Sequence, residues 1–96
     1  MAEAPHVLKH DHSDNVAVVV VENLKAGTKA RGVITVDDST FEVDVKHDVP
    51  IGHKVALSDL SEGDTAIKYG EDIGKFVAQV KTGEHVHVHN LKTKRW

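Results

Sequence analysis

The sequence predicts a mostly β domain built from short strands with little helix. Three observations carry this reading. Short β-branched runs are divided by turn signals, apolar and charged residues alternate from Phe41 to Val45, and no window shows a helical apolar stripe longer than two turns. Helix has only a weak candidate, between His53 and Leu60. Val7–Lys9 reads as a first strand, closed by the polar cluster Asp11 to Asn15. The valine-rich run Val16–Val21 is what a strand buried on both faces presents. Gly32–Val36 and Thr40–Val45 are β-rich and flank the tight loop Asp37-Asp38-Ser39; Phe41, Val43 and Val45 alternate with Glu42, Asp44 and Lys46, so one face is wet. Beyond Val49-Pro50 the expected strands are Val55–Leu57, Thr65–Tyr69, Phe76–Val80 and His85–His89, with Asp72-Ile73-Gly74 as a turn carrying an apolar plug.

One small pattern recurs. Leu24-Lys-Ala-Gly27, Leu60-Ser-Glu-Gly63 and Val80-Lys-Thr-Gly83 each set a glycine three residues after an aliphatic anchor. This is a turn whose entrance is pinned in the core and whose glycine takes a positive φ. The unequal spacing of the copies speaks for a structural habit rather than a solenoid.

Ninety-six residues and 10.5 kDa make one domain, 1–96, with a core from about residue 7 to 91 and a basic tail from 92 to 96. Aromatics are 4%, too few for a base-stacking surface, so the core is aliphatic. A net charge of −3 favours neither nucleic acid nor an anionic membrane. The lack of cysteine excludes disulfides, thiolate metal sites and a Cys nucleophile. No apolar run approaches the roughly 20 residues of a membrane span, and Met1 to His12 has no signal-peptide core, so the expected location is cytoplasmic.

Histidine is the outlier, with eight residues, three of them in His85-Val-His87-Val-His89. On a strand these three share one face, with neighbours roughly 6.5–7 Å apart at Cα. Two such imidazoles can converge on one transition metal, whereas His85 and His89, about 13 Å apart, need a bend to join them. The run supplies at most a two-histidine half-site, to be completed by His53, His47, Asp72, Glu71 or another chain. The same alternation also suits the wet face of an edge strand with its valines in the core. Asn90 serves either as a ligand amide or as a turn residue. Ile51-Gly-His53-Lys54 and Ile67-Lys68-Tyr69-Gly70 each place titratable groups beside a glycine, where they can meet an anionic substrate or stand as ordinary surface residues. The C-terminal Lys92-Thr-Lys94-Arg95-Trp96 is a docking point or a solvated tail. No Ser–His–Asp arrangement, phosphate loop or dinucleotide fingerprint is present.

Read together, Asp14-Asn15-Val16-Ala17-Val18, Leu24-Lys25-Ala26-Gly27, Pro50-Ile51-Gly52-His53-Lys54-Val55-Ala56-Leu57, Asp59-Leu60-Ser61-Glu62-Gly63-Asp64, Ile67-Lys68-Tyr69-Gly70, Ile73-Gly74 and Gly83-Glu84-His85-Val86-His87-Val88-His89-Asn90-Leu91-Lys92-Thr93 resemble the N-terminal domain of altronate and galactarate dehydratases. The resemblance implies a SAF-type β-clip domain, a fold also found in sialic acid synthases and type III antifreeze proteins. Long family members continue past the His-Asn-Leu-Lys-Thr segment into a large catalytic domain. A chain that stops at Trp96 therefore resembles the separately encoded small subunit of a two-subunit altronate dehydratase or of sulfolactate sulfo-lyase. The implied activity is that of a hydro-lyase subunit, inactive alone, which completes a large catalytic subunit's site for removing water from a sugar acid such as altronate. The alternatives are sulfite elimination from sulfolactate and a non-catalytic SAF-type binding module. The resemblance also implies a divalent metal, iron or similar, shared with the large subunit. Carried over by position, His85, His87 and His89 would be catalytic, with His87 and His89 as metal ligands. Asn90, His53, Lys54, Lys68 and Tyr69 would bind the anionic substrate. The implied partners are the large subunit and a sugar acid or sulfonated hydroxy acid, without nucleic acid or membrane.

Overall fold

The computed structural model describes residues 4–68, 70–87 and 91–93. Every regular element among them is a strand: β1 Val7–Lys9, β2 Val16–Val19, β3 Lys29–Ile34, β4 Ser39–Asp44, β5 Lys54–Ala56, β6 Thr65–Lys68, β7 Glu71–Phe76, β8 His85–Val86 and β9 Leu91–Thr93. Six form one sheet in the order β4-β3-β1-β2-β5-β8, and three form a second in the order β6-β7-β9. The mostly β expectation therefore holds. β1 runs parallel to β3 and antiparallel to β2, which seats the first strand in the middle of the larger sheet.

The pleat sorts the larger sheet into two faces. Val7, Ala17, Val19 and Val55 point into a first core with Leu24, Ala30, Val43, Val45 and Val49. Leu8, Val18, Lys54 and Val86 are partners across β1, β2, β5 and β8 and so share the opposite face. Part of that face is sealed by the smaller sheet, where Val16, Ala56 and Val86 pack with Leu60, Ala66, Phe76, Val80 and Leu91. β2 is thus covered on both sides at Val16, whereas Val18 on the same face is only half-buried.

Two side chains bind the sheets together. Asn15 Nδ2 donates to the Thr65 carbonyl at 2.9 Å, and its Oδ1 accepts the Ile67 N–H at 2.8 Å, so one amide imitates a strand partner for β6. Asp14, 3% exposed, accepts the N–H groups of His10 and Asp11 on one oxygen and that of Gly70 on the other. The second pair ties the loop after β1 to the β6–β7 turn.

The recurrent glycine turn appears three times with one geometry. Leu24, Leu60 and Val80 are buried anchors, and Gly27, Gly63 and Gly83 have φ of 89°, 91° and 86°. Each glycine N–H donates to a carbonyl of a distant segment, that of Val45, Phe76 and Ala56 respectively, and that residue's N–H returns to the carbonyl after the glycine. The turn is therefore a brace between non-adjacent segments, and a side chain at Gly83 would collide with the Asp44 carbonyl.

Several boundaries differ from the sequence reading. The segment 53–60 is not helical, because Val55 and Ala56 pair with β2 while Lys54 and Val55 pair with β8. Asp72-Ile73-Gly74 lies inside β7, where a register shift between Ala66 and Ile67 absorbs the extra residue. β7 ends at Phe76 rather than starting there; Val77 is exposed and Val80 makes only an isolated bridge to Leu60. Lys92 and Thr93, read as tail, belong to β9, paired with β7.

Candidate functional site

The turn Pro50–His53 builds one side of the site. Gly52 has φ 87°, and the His53 N–H donates to the Pro50 carbonyl at 3.1 Å, a type II turn with glycine where that turn needs it. The His53 carbonyl accepts the Val19 N–H at 2.8 Å, locking the residue to β2. His85 lies opposite Val55 in the β5–β8 register, and its N–H donates to Nδ1 of His47 at 3.2 Å. His87 follows two residues later, its carbonyl accepting the Leu91 N–H at 2.9 Å.

These elements bring three imidazoles into one stack. His53 lies 3.6 Å from His87 and 4.9 Å from His85 between ring centroids, with interplanar angles of 13° and 22°. His85 and His87 are 6.2 Å apart and nearly parallel at 9°, as residues on the same face of a strand should be. Nδ1 of His53 and Nε2 of His85 are 2.7 Å apart, a hydrogen bond that holds a single proton between two rings. All three rings are half-buried. Such a pair can accept one proton from a substrate carbon or return one to a leaving group.

The same pair tests the fit of a metal. Two nitrogens bound to one ion at about 2.1 Å each lie roughly 3 Å apart, close to the His53–His85 separation. Among the described residues no three His, Asp or Glu side chains are grouped to hold an ion. These residues therefore offer two donors, and further ligands have to come from elsewhere. His87 presents its ring face to His53, and His89 lies outside the described residues, as do Asn90 and Tyr69.

The lysines fall elsewhere. Lys54 pairs with Val18 and Val86, which sets it on the face opposite Val55 and His85. Lys68 lines a groove on that face together with Leu8, Val16, Val18 and Val20. Burial, and then the field of Lys68, holds the Lys54 ammonium below the usual lysine range. The expected substrate-binding set thus divides across one sheet, because consecutive strand residues point to opposite sides. His47, which the sequence offered only as one ligand candidate among several, instead braces His85 through the backbone. Asp72, another such candidate, caps the Gly74 N–H at 3.0 Å.

The N-terminal histidines serve the larger sheet. His6 Nδ1 accepts the Arg31 N–H, His10 meets the Thr35 hydroxyl at 3.0 Å, and His12 meets Asp37 at 2.8 Å. The His12 hydrogen bond, followed by those from Ser39, holds the Asp37 carboxyl down at about 2. No helix among the described residues is long and apolar enough to cross a membrane.

Comparison with known proteins adds an independent line. Residues 5–94 match the family described as the altronate/galactarate dehydratase SAF domain. The chain is 53% identical over 87 residues to the (2R)-sulfolactate sulfo-lyase subunit alpha of Chromohalobacter salexigens, covering 91% of this chain and 93% of that one. It is 61% identical over 64 residues to the subunit of the same name from Paracoccus pantotrophus, covering 67% and 96%. Altronate dehydratase of Escherichia coli is 44% identical over 80 residues, which are 83% of this chain but only 15% of that enzyme.

Proposed function

We propose that this chain, which belongs to the altronate/galactarate dehydratase SAF-domain family, is the small subunit of a lyase and contributes half of an active site to a larger chain. The substrate we assign first is a sulfonated hydroxy acid of the sulfolactate type. One observation carries this choice: two sulfo-lyase alpha subunits are 53% and 61% identical and are matched over nearly their whole length. The sequence alone leaned toward a sugar acid. Dehydration of such an acid is the second reading, supported by the 44% identity to altronate dehydratase.

In either elimination a base takes the proton next to the carboxylate, the C–H electron pair becomes the new double bond, and the β-substituent departs with its own pair. Sulfite leaves as an anion and needs no proton, whereas hydroxide needs one. The His53–His85 pair, with one proton between its nitrogens, suits the base role in the first case and both roles in the second. His87, stacked on His53, fixes the ring plane in which that pair works. A divalent ion such as iron, shared with the partner, would draw its ligands in this chain from His87 and His89; it takes the His53 and His85 nitrogens only by displacing the proton between them, and the base would then come from the partner. When bound it supplies Lewis acidity toward the departing group. Of the remaining residues, Asn90 and Tyr69 are assigned to substrate contact, and the assembly is assigned to the cytoplasm.

The test is co-purification from native cells, identification of the bound chain by mass, and assay of the complex with sulfolactate, altronate and galactarate in the presence of iron. The expected result is turnover by the complex and none by either chain alone. His87→Ala should lower turnover by about 10²–10⁴-fold while the complex and the fold persist. Full activity in the His87→Ala complex would remove the histidine stack from the mechanism.

A further inference from the structure

The groove on the face away from the histidines has an apolar floor and a cationic end. Leu8, Val16, Val18 and Val20 form the floor, Thr35 and Lys68 line it, and Lys54 stands beside Val18 in register. It arises because the smaller sheet covers only the part of this face around Val16, Ala56 and Val86. Beside it a groove of about 190 Å³ stays open, and Val20 at the groove is 37% exposed. Two ammonium groups near one another and near aliphatic side chains create a positive potential in a place poor in water. Burial and the nearby Lys68 already press on the charge of Lys54.

A small polar substrate is a poor match for this surface. A three-carbon acid with a hydroxyl and two anionic groups would leave its polar atoms against Leu8, Val16, Val18 and Val20. An aliphatic side chain with a carboxylate close behind it matches both the floor and the lysines.

We propose that this groove is the docking site for an acidic, aliphatic-bearing segment of the large chain, seated with its apolar side chain on Val18 and Val20 and its carboxylate toward Lys54 and Lys68. The proposal rests on the subunit reading above, which requires a large partner. It assigns the two lysines to assembly instead of substrate, and the two faces of β5 to two tasks. The carboxylate answers the positive end of the groove, and the side chain covers a part of this face that the smaller sheet leaves open.

The experiment uses the native complex, with the large chain identified by mass as one matching altronate dehydratase beyond the segment this domain covers. Binding of that chain is measured for wild type, for Lys54→Glu combined with Lys68→Glu, and for Val20→Glu and Val20→Lys. Circular dichroism and thermal melting establish that each variant folds. The double lysine variant should bind about 10- to 100-fold more weakly. Val20→Glu should weaken binding while Val20→Lys preserves it, since the two differ mainly in the sign of the added charge. If wild type binds no such chain, the subunit reading falls and takes the groove with it. If wild type binds and all variants bind within twofold, the groove proposal alone is overturned. Equal losses in the two Val20 variants would exclude an acidic occupant. Normal assembly with a raised KM in the lysine variant would return both lysines to the substrate and overturn the proposal.

Discussion

Replacing Gly83 by alanine asks whether the backbone beside the histidines is set by contact as well as by conformation. Gly27, Gly63 and Gly83 hold the same place in three copies of one turn, with φ of 89°, 91° and 86°. Alanine at any of them meets the left-handed penalty of about 1–2 kcal/mol, partly offset by a less flexible unfolded chain, for a net cost of ~1 kcal/mol. Around Gly27 and Gly63 an added carbon meets nothing within 4 Å. At Gly83 it collides with the Asp44 carbonyl and presses on Lys46 Cγ at 3.2 Å. Either the end of β4 or the turn must retreat, which breaks the Lys46 N–H bond to the Gly83 carbonyl and strains the Gly83 N–H bond to Ala56, both 2.8 Å. Two backbone bonds at about 0.5–1.5 kcal/mol each, with the added steric strain, bring the total to ~3–5 kcal/mol. At about 4–8 °C per kcal/mol for a domain of this size, Gly27→Ala and Gly63→Ala should lower Tm by roughly 4–8 °C and Gly83→Ala by roughly 12–40 °C. Thermal unfolding of the three variants by circular dichroism measures this. A Gly83→Ala variant within 0.5 kcal/mol of the other two would refute the contact argument.

Two further outcomes are expected. Asn15→Ala removes both side-chain bonds to β6, and should cost about 1–3 kcal/mol at ~0.5–1.5 kcal/mol per bond. Faster amide hydrogen exchange in β6 and β7 than in β1–β3 would locate the loss, and uniform acceleration would contradict it. Asp37 has a folded-state pKa of about 2 against an ordinary 3.8. Its stabilising contribution is therefore whole above about 4 and is lost as pH falls through about 2. His12→Ala should move the Asp37 midpoint upward in a carboxyl NMR titration, with the Ser39 bonds still holding it below 3.8. An unmoved midpoint would show that Ser39 alone sets it.

The strands and braces were legible where a local rule determines them. A strand made by the valine run, a tight Asp37-Asp38-Ser39 loop and three anchored glycine turns follow from side-chain branching and from φ alone; the run is covered on both faces only at its start, around Val16. β7 was misread because Asp72-Ile73-Gly74 has turn composition, and only pairing with β6 turns that stretch into a bulged strand. The histidine site was half legible. The i, i+2 spacing foretold that His85 and His87 lie parallel on one face, and the glycine before His53 marked a sharp turn. That His53 inserts between them depends on the β5–β8 register, which is a long-range fact. The separation of Lys54 from His53 was latent in strand alternation but hidden by their adjacency in sequence. Asp14 and Asn15 looked like loop polarity; the bonds of Asp14 to His10 and Asp11 are local, but its bond to Gly70 and both side-chain bonds of Asn15 come only with the approach of β6 and its turn.

β5 is three residues long, and Val55 and Ala56 are each fully buried against a different core. A one-residue slip would exchange those cores, sending the ammonium of Lys54 to the imidazole side. The strand consequently has one acceptable phase, checked from above and below at once. An insertion or deletion between residues 53 and 56 would do more than loosen the sheet; it would exchange the chemistry presented on its two sides.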